Sequence, residues 1–204
     1  MAQLHPKRPG RPGPPVRLGA FFRARDLDRG GASRRDLAVW LRRKEVEQVD
    51  RGLYRRRAAP VTEHETMVEV AARLPEAVIC LISALEFHDI GTQNPRAIWL
   101  AVERKARKPR LPNTRVRVLW FSTRMMRYGV HTHDLGGVPV RVTSPARTVV
   151  DCFRYRNKVG LDVAIEALRD VLRSRKATPA ELMRAAEVCR ARTLLLPYLE
   201  ALLS

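Results

Sequence analysis

The order of its patterned segments constrains this chain most: β-like runs lie between residues 97 and 142, and capped amphipathic helices follow from residue 144 onward. Ala97 to Val102 reads as a buried strand, and Arg115 to Phe121 alternates before turning apolar. Val130 to Leu135 and Val138 to Val142 flank Gly136-Gly137, a hairpin signal. Ser144-Pro145 then supplies an N-cap with proline at the first helical position, where its missing N–H is harmless, for a helix through about Tyr155. Leu161, Ala164, Ile165, Leu168, Val171 and Leu172 make one apolar helical face. Thr178-Pro179-Ala180-Glu181 is a capping box, and a last helix spans about Ala191 to Leu203. Upstream, Glu63 to Leu74 and Ala77 to Phe87 read as two helices separated by Pro75. Strands followed by a block of helices make the chain α+β.

A composition break at Ala58-Ala59-Pro60 sets off an N-terminal module. Residues 1–20 hold five of the 14 prolines and read as a flexible basic arm, because such a segment buries too little to offset its ordering entropy. Residues 21–57 have the rhythm of a winged helix-turn-helix. A short helix over Arg25 to Arg29 stops at Gly30-Gly31, Ser33 caps a second helix from Arg34 to about Lys44, and a hairpin turns near Gly52. Leu37, Trp40 and Leu41 form the apolar face of the second helix, with Arg35, Arg42 and Arg43 mostly opposite. Residues 58–204 form the α/β-mixed remainder, expected to mediate dimerisation or partner contact.

Charge tells the same story. The chain carries 39 Lys and Arg against 21 Asp and Glu, a formal +18. Residues 1–57 hold 16 basic and 6 acidic side chains, net +10; residues 58–204 hold 23 and 15, net +8. A little over a quarter of the chain thus carries more than half of the excess, so the N-terminal module is the expected polyanion contact. At the start of a recognition helix, Arg34 and Arg35 are placed to reach base edges of double-stranded DNA. Arg42, Arg43 and Lys44 would clamp phosphate, and Arg51, Arg55, Arg56 and Arg57 would lie along the flanking backbone or minor groove. Arg25 and Ser33 complete the candidate surface. A second cluster, Arg104, Lys105, Arg107, Lys108 and Arg110, fits an auxiliary DNA contact and a solvated loop equally well.

Other chemistries find little purchase. Cys80, Cys152 and Cys189 are scattered among apolar residues and read as buried free thiols of a reducing cytoplasm. Apolar stretches such as Ala77 to Ile82 are far too short to span a bilayer, and the basic N-terminus has no apolar core of a secretory signal. The alternative to a DNA-binding protein is a metal-dependent nuclease, in which Asp89, Glu103 and Lys105 would hold a divalent ion and poise a water. That spacing is short, and Glu-x-Lys arises by chance in so basic a chain. Asp26-Leu27-Asp28 is the sole Asp-x-Asp and lacks the upstream Gly-Ser of a nucleotidyltransferase. His131 and His133 alternate on one strand without a third metal ligand, and His88 reads as a satisfied helix C-terminal residue. Arg147 and Asp151, at i and i+4, read as a structural ion pair. No catalytic residue, cofactor or metal is expected.

Three motifs carry a family resemblance. Phe22-Arg-Ala-Arg-Asp-Leu and Gly31-Ala-Ser-Arg-Arg-Asp-Leu lead to Arg51-Gly-Leu-Tyr; Leu74-Pro-Glu-Ala-Val-Ile-Cys-Leu-Ile-Ser-Ala-Leu and Ser144-Pro-Ala-Arg-Thr-Val-Val-Asp-Cys-Phe follow. With these the chain, nearly throughout beyond residue 20, resembles the AbiEi-type antitoxins of type IV toxin–antitoxin systems and related AbiEi-like transcriptional regulators. The resemblance implies a winged-helix repressor of its own promoter, often encoded beside a nucleotidyltransferase-like toxin that it need not touch. It implies no catalysis and no cofactor. One departure stands out: the family's winged helix begins with a full helix, and here that stretch is rich in Pro and Gly, leaving a helix shortened to Arg17–Phe22 or missing.

Overall fold

In the computed structural model, which describes residues 13–59, 63–112 and 114–203, the chain divides into two units. One comprises the residues before 63 with the turn Gly136–Val138; the other comprises the rest.

Ser33 organises the first unit. Its hydroxyl accepts from Asp36 N while the Asp36 carboxylate accepts from Ser33 N, a capping box that starts helix α1 (Arg34–Arg42). Leu37 and Trp40 face inward, joined by Leu18, Phe22, Leu27 and Val46 in one core. After α1, Lys44 takes a left-handed φ of 57° and turns the chain into β2 (Val46–Asp50). Arg51-Gly52 closes a tight hairpin to β3 (Leu53–Arg56), with Gly52 at φ 68° where the turn demands a residue without Cβ strain. A further strand, β1 (Phe21–Arg23), pairs antiparallel with β3, giving the order β1-β3-β2.

Two expectations change here. The helix expected over Arg25–Arg29 is instead two 3-10 turns, Ala24–Asp26 and Asp28–Gly30, ended by Gly31 in the left-handed region. Each is a single turn, too short to build the cooperative hydrogen bonding of an α-helix. The segment expected as arm or vestigial helix holds a 3-10 turn at Val16–Leu18 followed by β1, and Leu18 is 5% exposed. The remainder of the expected arm, residues 1–12, lies outside the described residues.

The second unit is built on a five-stranded mixed sheet, order β6-β5-β4-β8-β7. Its strands are β4 (Val78–Ile79), β5 (Ile98–Glu103), β6 (Val116–Phe121), β7 (Val130–Leu135) and β8 (Val138–Thr143). β4 runs antiparallel to β5 and parallel to β8, and β5 runs parallel to β6. The helices are α2 (Glu65–Arg73), α3 (Leu81–Phe87), α4 (Pro145–Arg154), α5 (Arg156–Val159), α6 (Leu161–Arg173), α7 (Pro179–Val188) and α8 (Arg192–Leu203). Every residue of α4 from Ala146 to Phe153 is buried, and α3, α6 and α7 pack around it. α4 thus lies at the centre of the core, and it carries Arg147, Thr148 and Asp151 inside with Val149, Val150, Cys152 and Phe153. Ser144 caps α4 and Thr178 caps α7 with the side-chain bonds their motifs require.

The helix expected over Ala77–Phe87 begins late. Val78-Ile79 is a strand in the middle of the sheet, Cys80 is extended, and Leu81 at φ 51° turns the chain into α3. Both faces of that strand are covered, so its residues are apolar without alternation.

Candidate nucleic-acid interface

α1 presents its cations to solvent because its apolar stripe is fully engaged. Leu37 and Trp40 are 6% and 2% exposed, whereas Arg34, Arg35, Ala38, Arg42 and Arg43 are all exposed. Arg35, Ala38 and Arg42 share the side of the helix away from Trp40, with the Cα atoms of the two arginines about 10 Å apart along the axis. The small Ala38 between them leaves room for close approach of a partner. Ser33, at the start of the helix, is exposed but its hydroxyl is committed to Asp36 Oδ2 at 2.6 Å.

The candidate cations fall into two groups. Arg25, Arg34, Arg35, Arg42, Lys44 and Arg51 are exposed and make no side-chain ion pair among the described residues. The others are engaged. Arg43 lies 3.9 Å from Glu45, and Glu47 sits between Arg55 at 3.8 Å and Arg57 at 3.2 Å. Strand register causes this, since Glu47 pairs directly with Arg55 across the hairpin. The Arg55 guanidinium also lies over the Phe21 ring, and Arg56 turns its guanidinium onto the Gly19 carbonyl. Free positive charge is therefore concentrated on α1 and the hairpin turn rather than on strand β3.

In the second unit the residues singled out for other chemistry take structural positions. Arg147 and Asp151 are wholly buried and joined at 2.8 Å, and Arg147 also donates to the Tyr128 carbonyl at 2.6 Å. Burial pushes the Asp151 carboxyl up to about 6, against the pull of Arg147. All three cysteines are buried and free, and burial raises each thiol above its ordinary value, Cys189 to about 11. His88 bonds the Thr143 carbonyl at 2.7 Å. Three of the chain's five histidines, His64, His88 and His133, pack against Phe87, and His131 acts electrostatically on the last two, a grouping that neither spacing nor composition foretold. Desolvation holds His88 and His133 below the usual imidazole range, and repulsion from neighbouring histidines adds to it.

For the nuclease reading, Asp89 follows α3 with its carbonyl held by Lys176, while Glu103 ends β5 and accepts from Thr123. β4 runs antiparallel to β5, so Glu103 lies at the far end of that strand from the β4–α3 junction leading to Asp89. Among the described residues no group of three or more His, Cys, Asp or Glu could hold a metal ion. Nothing in this arrangement favours the nuclease alternative. Nor is any helix among the described residues long and apolar enough to cross a membrane.

Residues 77–199 match the family model of the AbiEi antitoxin C-terminal domain. The chain belongs to this family. The matched segment runs from just before β4 into α8, so the AbiEi domain includes the whole five-stranded sheet and helices α3 to α7, while α2 precedes it. No curated protein sequence matches the chain. Among solved structures it is similar to the crystal structure of the RV2827C protein from Mycobacterium tuberculosis, at a TM-score of 0.52 and 16% identity. That likeness covers 93% of this chain and 73% of the other, and it is a likeness of fold. The AbiEi match ends short of residues 21–57, so the candidate interface rests on its own geometry.

Proposed function

We propose that this AbiEi-family chain is the antitoxin of a type IV toxin–antitoxin operon and represses its own promoter. Residues 21–57 act as a winged helix-turn-helix on double-stranded DNA, and residues 58–204 form the antitoxin domain. The observation that carries the reading is the exposed, unpaired set Arg34, Arg35 and Arg42 on a helix whose opposite face is locked by Trp40. The order of elements along the chain supports it, because α1 comes immediately before the β2–β3 hairpin, as a recognition helix stands before its wing. α1 would enter the major groove with Arg34 and Arg35 at base edges, while Arg25, Arg42, Lys44 and Arg51 grip phosphate. Two copies on an inverted repeat would place the C-terminal domains for dimerisation. Occupancy of the promoter then excludes polymerase in the cytoplasm. No catalysis enters this scheme, and the toxin partner, of nucleotidyltransferase type, is opposed without direct contact.

Binding of the full chain to DNA from upstream of its gene, followed by fluorescence anisotropy, tests the reading. The Arg34→Ala/Arg35→Ala variant should lose its preference for that DNA over scrambled duplex while keeping its fold. Equal affinity and selectivity in the variant would remove α1 as the recognition helix. Co-expression with the neighbouring toxin gene tests the other half: rescue of growth that survives Arg34→Ala/Arg35→Ala assigns neutralisation to residues 58–204.

A further inference from the structure

A cleft in the second unit, distant in sequence from α1, has the chemistry of a small-molecule site. It lies where the end of α2, the approach to β4, the end of β5 and the segment 123–127 converge on Arg141 of β8, and its volume is about 510 Å³. That is within the roughly 300–1,000 Å³ usual for ligand pockets. The floor is apolar, made by Leu74, Pro75, Ala77, Val102 and Met126. Around it stand four guanidinium groups, Arg73, Arg107, Arg127 and Arg141, against two carboxylates, Glu76 and Glu103.

The walls are held in place before any ligand arrives. Arg141 donates to the Glu76 carbonyl at 2.7 Å and to the Met126 carbonyl at 2.8 Å, so its guanidinium cannot swing away. Arg73 is fixed by Glu69 at 2.8 Å. Thr123 donates to Glu103 at 2.8 Å, which turns that carboxylate to a defined partner. The loop carrying Arg107 is tied to β6: Arg104 N bonds the Phe121 carbonyl at 2.7 Å, and the Trp120 indole N–H donates to the Ala106 carbonyl at 3.1 Å. Arg107 and Arg127, in contrast, are exposed and make no ion pair among the described residues. A prebuilt apolar floor with two uncommitted guanidinium forks at its rim suits a ligand with an apolar body and one anionic group, which such a fork binds through paired hydrogen bonds. Duplex DNA fits poorly, because phosphate contacts bury no apolar floor.

We propose that this cleft is a binding site for a small organic anion, a carboxylate or phosphate carried on an aromatic or branched apolar group. Arg107 and Arg127 hold the anion, and Leu74, Val102 and Met126 receive the body. The site is independent of the DNA-binding reading. Phenyl phosphate serves as the probe, titrated into the full chain by calorimetry, with amide chemical shifts to locate it. The expected result is saturable 1:1 binding that perturbs residues 74–77 and 102–107. It should weaken at least tenfold in Arg107→Ala/Arg127→Ala and stay unchanged in Arg34→Ala/Arg35→Ala. Both cleft residues are exposed, so the double variant should melt with wild type. Absence of saturable binding, equal binding of inorganic phosphate, or loss of binding in Arg34→Ala/Arg35→Ala instead would each overturn the proposal.

Discussion

Arg147 and Asp151 show what one ion pair does when no water reaches it. Both side chains are fully buried, and Asp151 Oδ1 and Arg147 Nη2 have no partner there. Removing one member strands the other charge in a low-dielectric core, so Arg147→Ala or Asp151→Ala should cost about 3–5 kcal/mol in urea unfolding. Replacing both, as Arg147→Met with Asp151→Leu, should recover most of that loss, because an apolar pair of similar volume needs no desolvation. Single variants within about 1 kcal/mol of wild type would show the pair to be dispensable. The pH profile follows the same carboxyl. Its folded value of about 6 lies above the ordinary 3.8, so the folded state binds this proton more tightly than the unfolded chain. Its contribution is complete below about 4 and is lost as pH rises through about 6, and Asp151→Ala should flatten that part of the profile. The i, i+4 spacing of this pair was readable as an ion pair from the residues alone. Its complete burial was not, because nothing local to α4 reveals that helices cover every side of it.

At the scale of elements, legibility followed how local each cause is. Ser33, Ser144-Pro145 and Thr178-Pro179-Ala180-Glu181 announce helix starts because the cap and its partner lie within three residues. β1 and β4 were missed for the opposite reason. Phe21-Phe22 is a strand only because Arg55 and Tyr54 lie beside it, and Val78-Ile79 only because Ala101 and Leu100 do. Neither segment has a period long enough to read. The same holds for the candidate interface. Its basic residues could be named from composition, but which of them are free depends on the β2–β3 register that sets Glu47 against Arg55 and Arg57. Ser33 links element to interface, since it caps the turn that carries Arg34 and Arg35. Ser33→Ala should lower the stability of the first unit by about 1 kcal/mol. It should also weaken binding to upstream DNA by fraying that turn, while Ser33→Thr, which keeps the hydroxyl that accepts from Asp36 N and donates to its carboxylate, should preserve the fold. Unchanged melting of Ser33→Ala would mean that α1 is held by Trp40 and Leu37 alone.

On the scale of the whole molecule, a net +18 does not measure how strongly DNA is held, because charge already paired within the protein releases no counterions from DNA. Arg43, Arg55 and Arg57 are neutralised in part by Glu45 and Glu47, which leaves Arg25, Arg34, Arg35, Arg42, Lys44 and Arg51 as the candidate contacts without a side-chain ion pair among the described residues. The four phosphate contacts, Arg25, Arg42, Lys44 and Arg51, correspond to a slope of about −4 in log K against log salt for each copy bound. The full chain on its upstream DNA should therefore lose about two hundredfold in affinity between 50 and 200 mM salt for each copy, with the logarithmic loss doubling when two copies bind together. Arg42→Ala should lower the slope by about 1 and weaken specific and scrambled duplex alike, because that residue is assigned to phosphate. Arg34→Ala/Arg35→Ala should differ in kind, erasing the preference between the two duplexes. A slope near zero would remove DNA as the partner of the first unit. A slope much steeper than about −4 for one copy would add cations outside Arg25, Lys44, α1 and its hairpin to the contact.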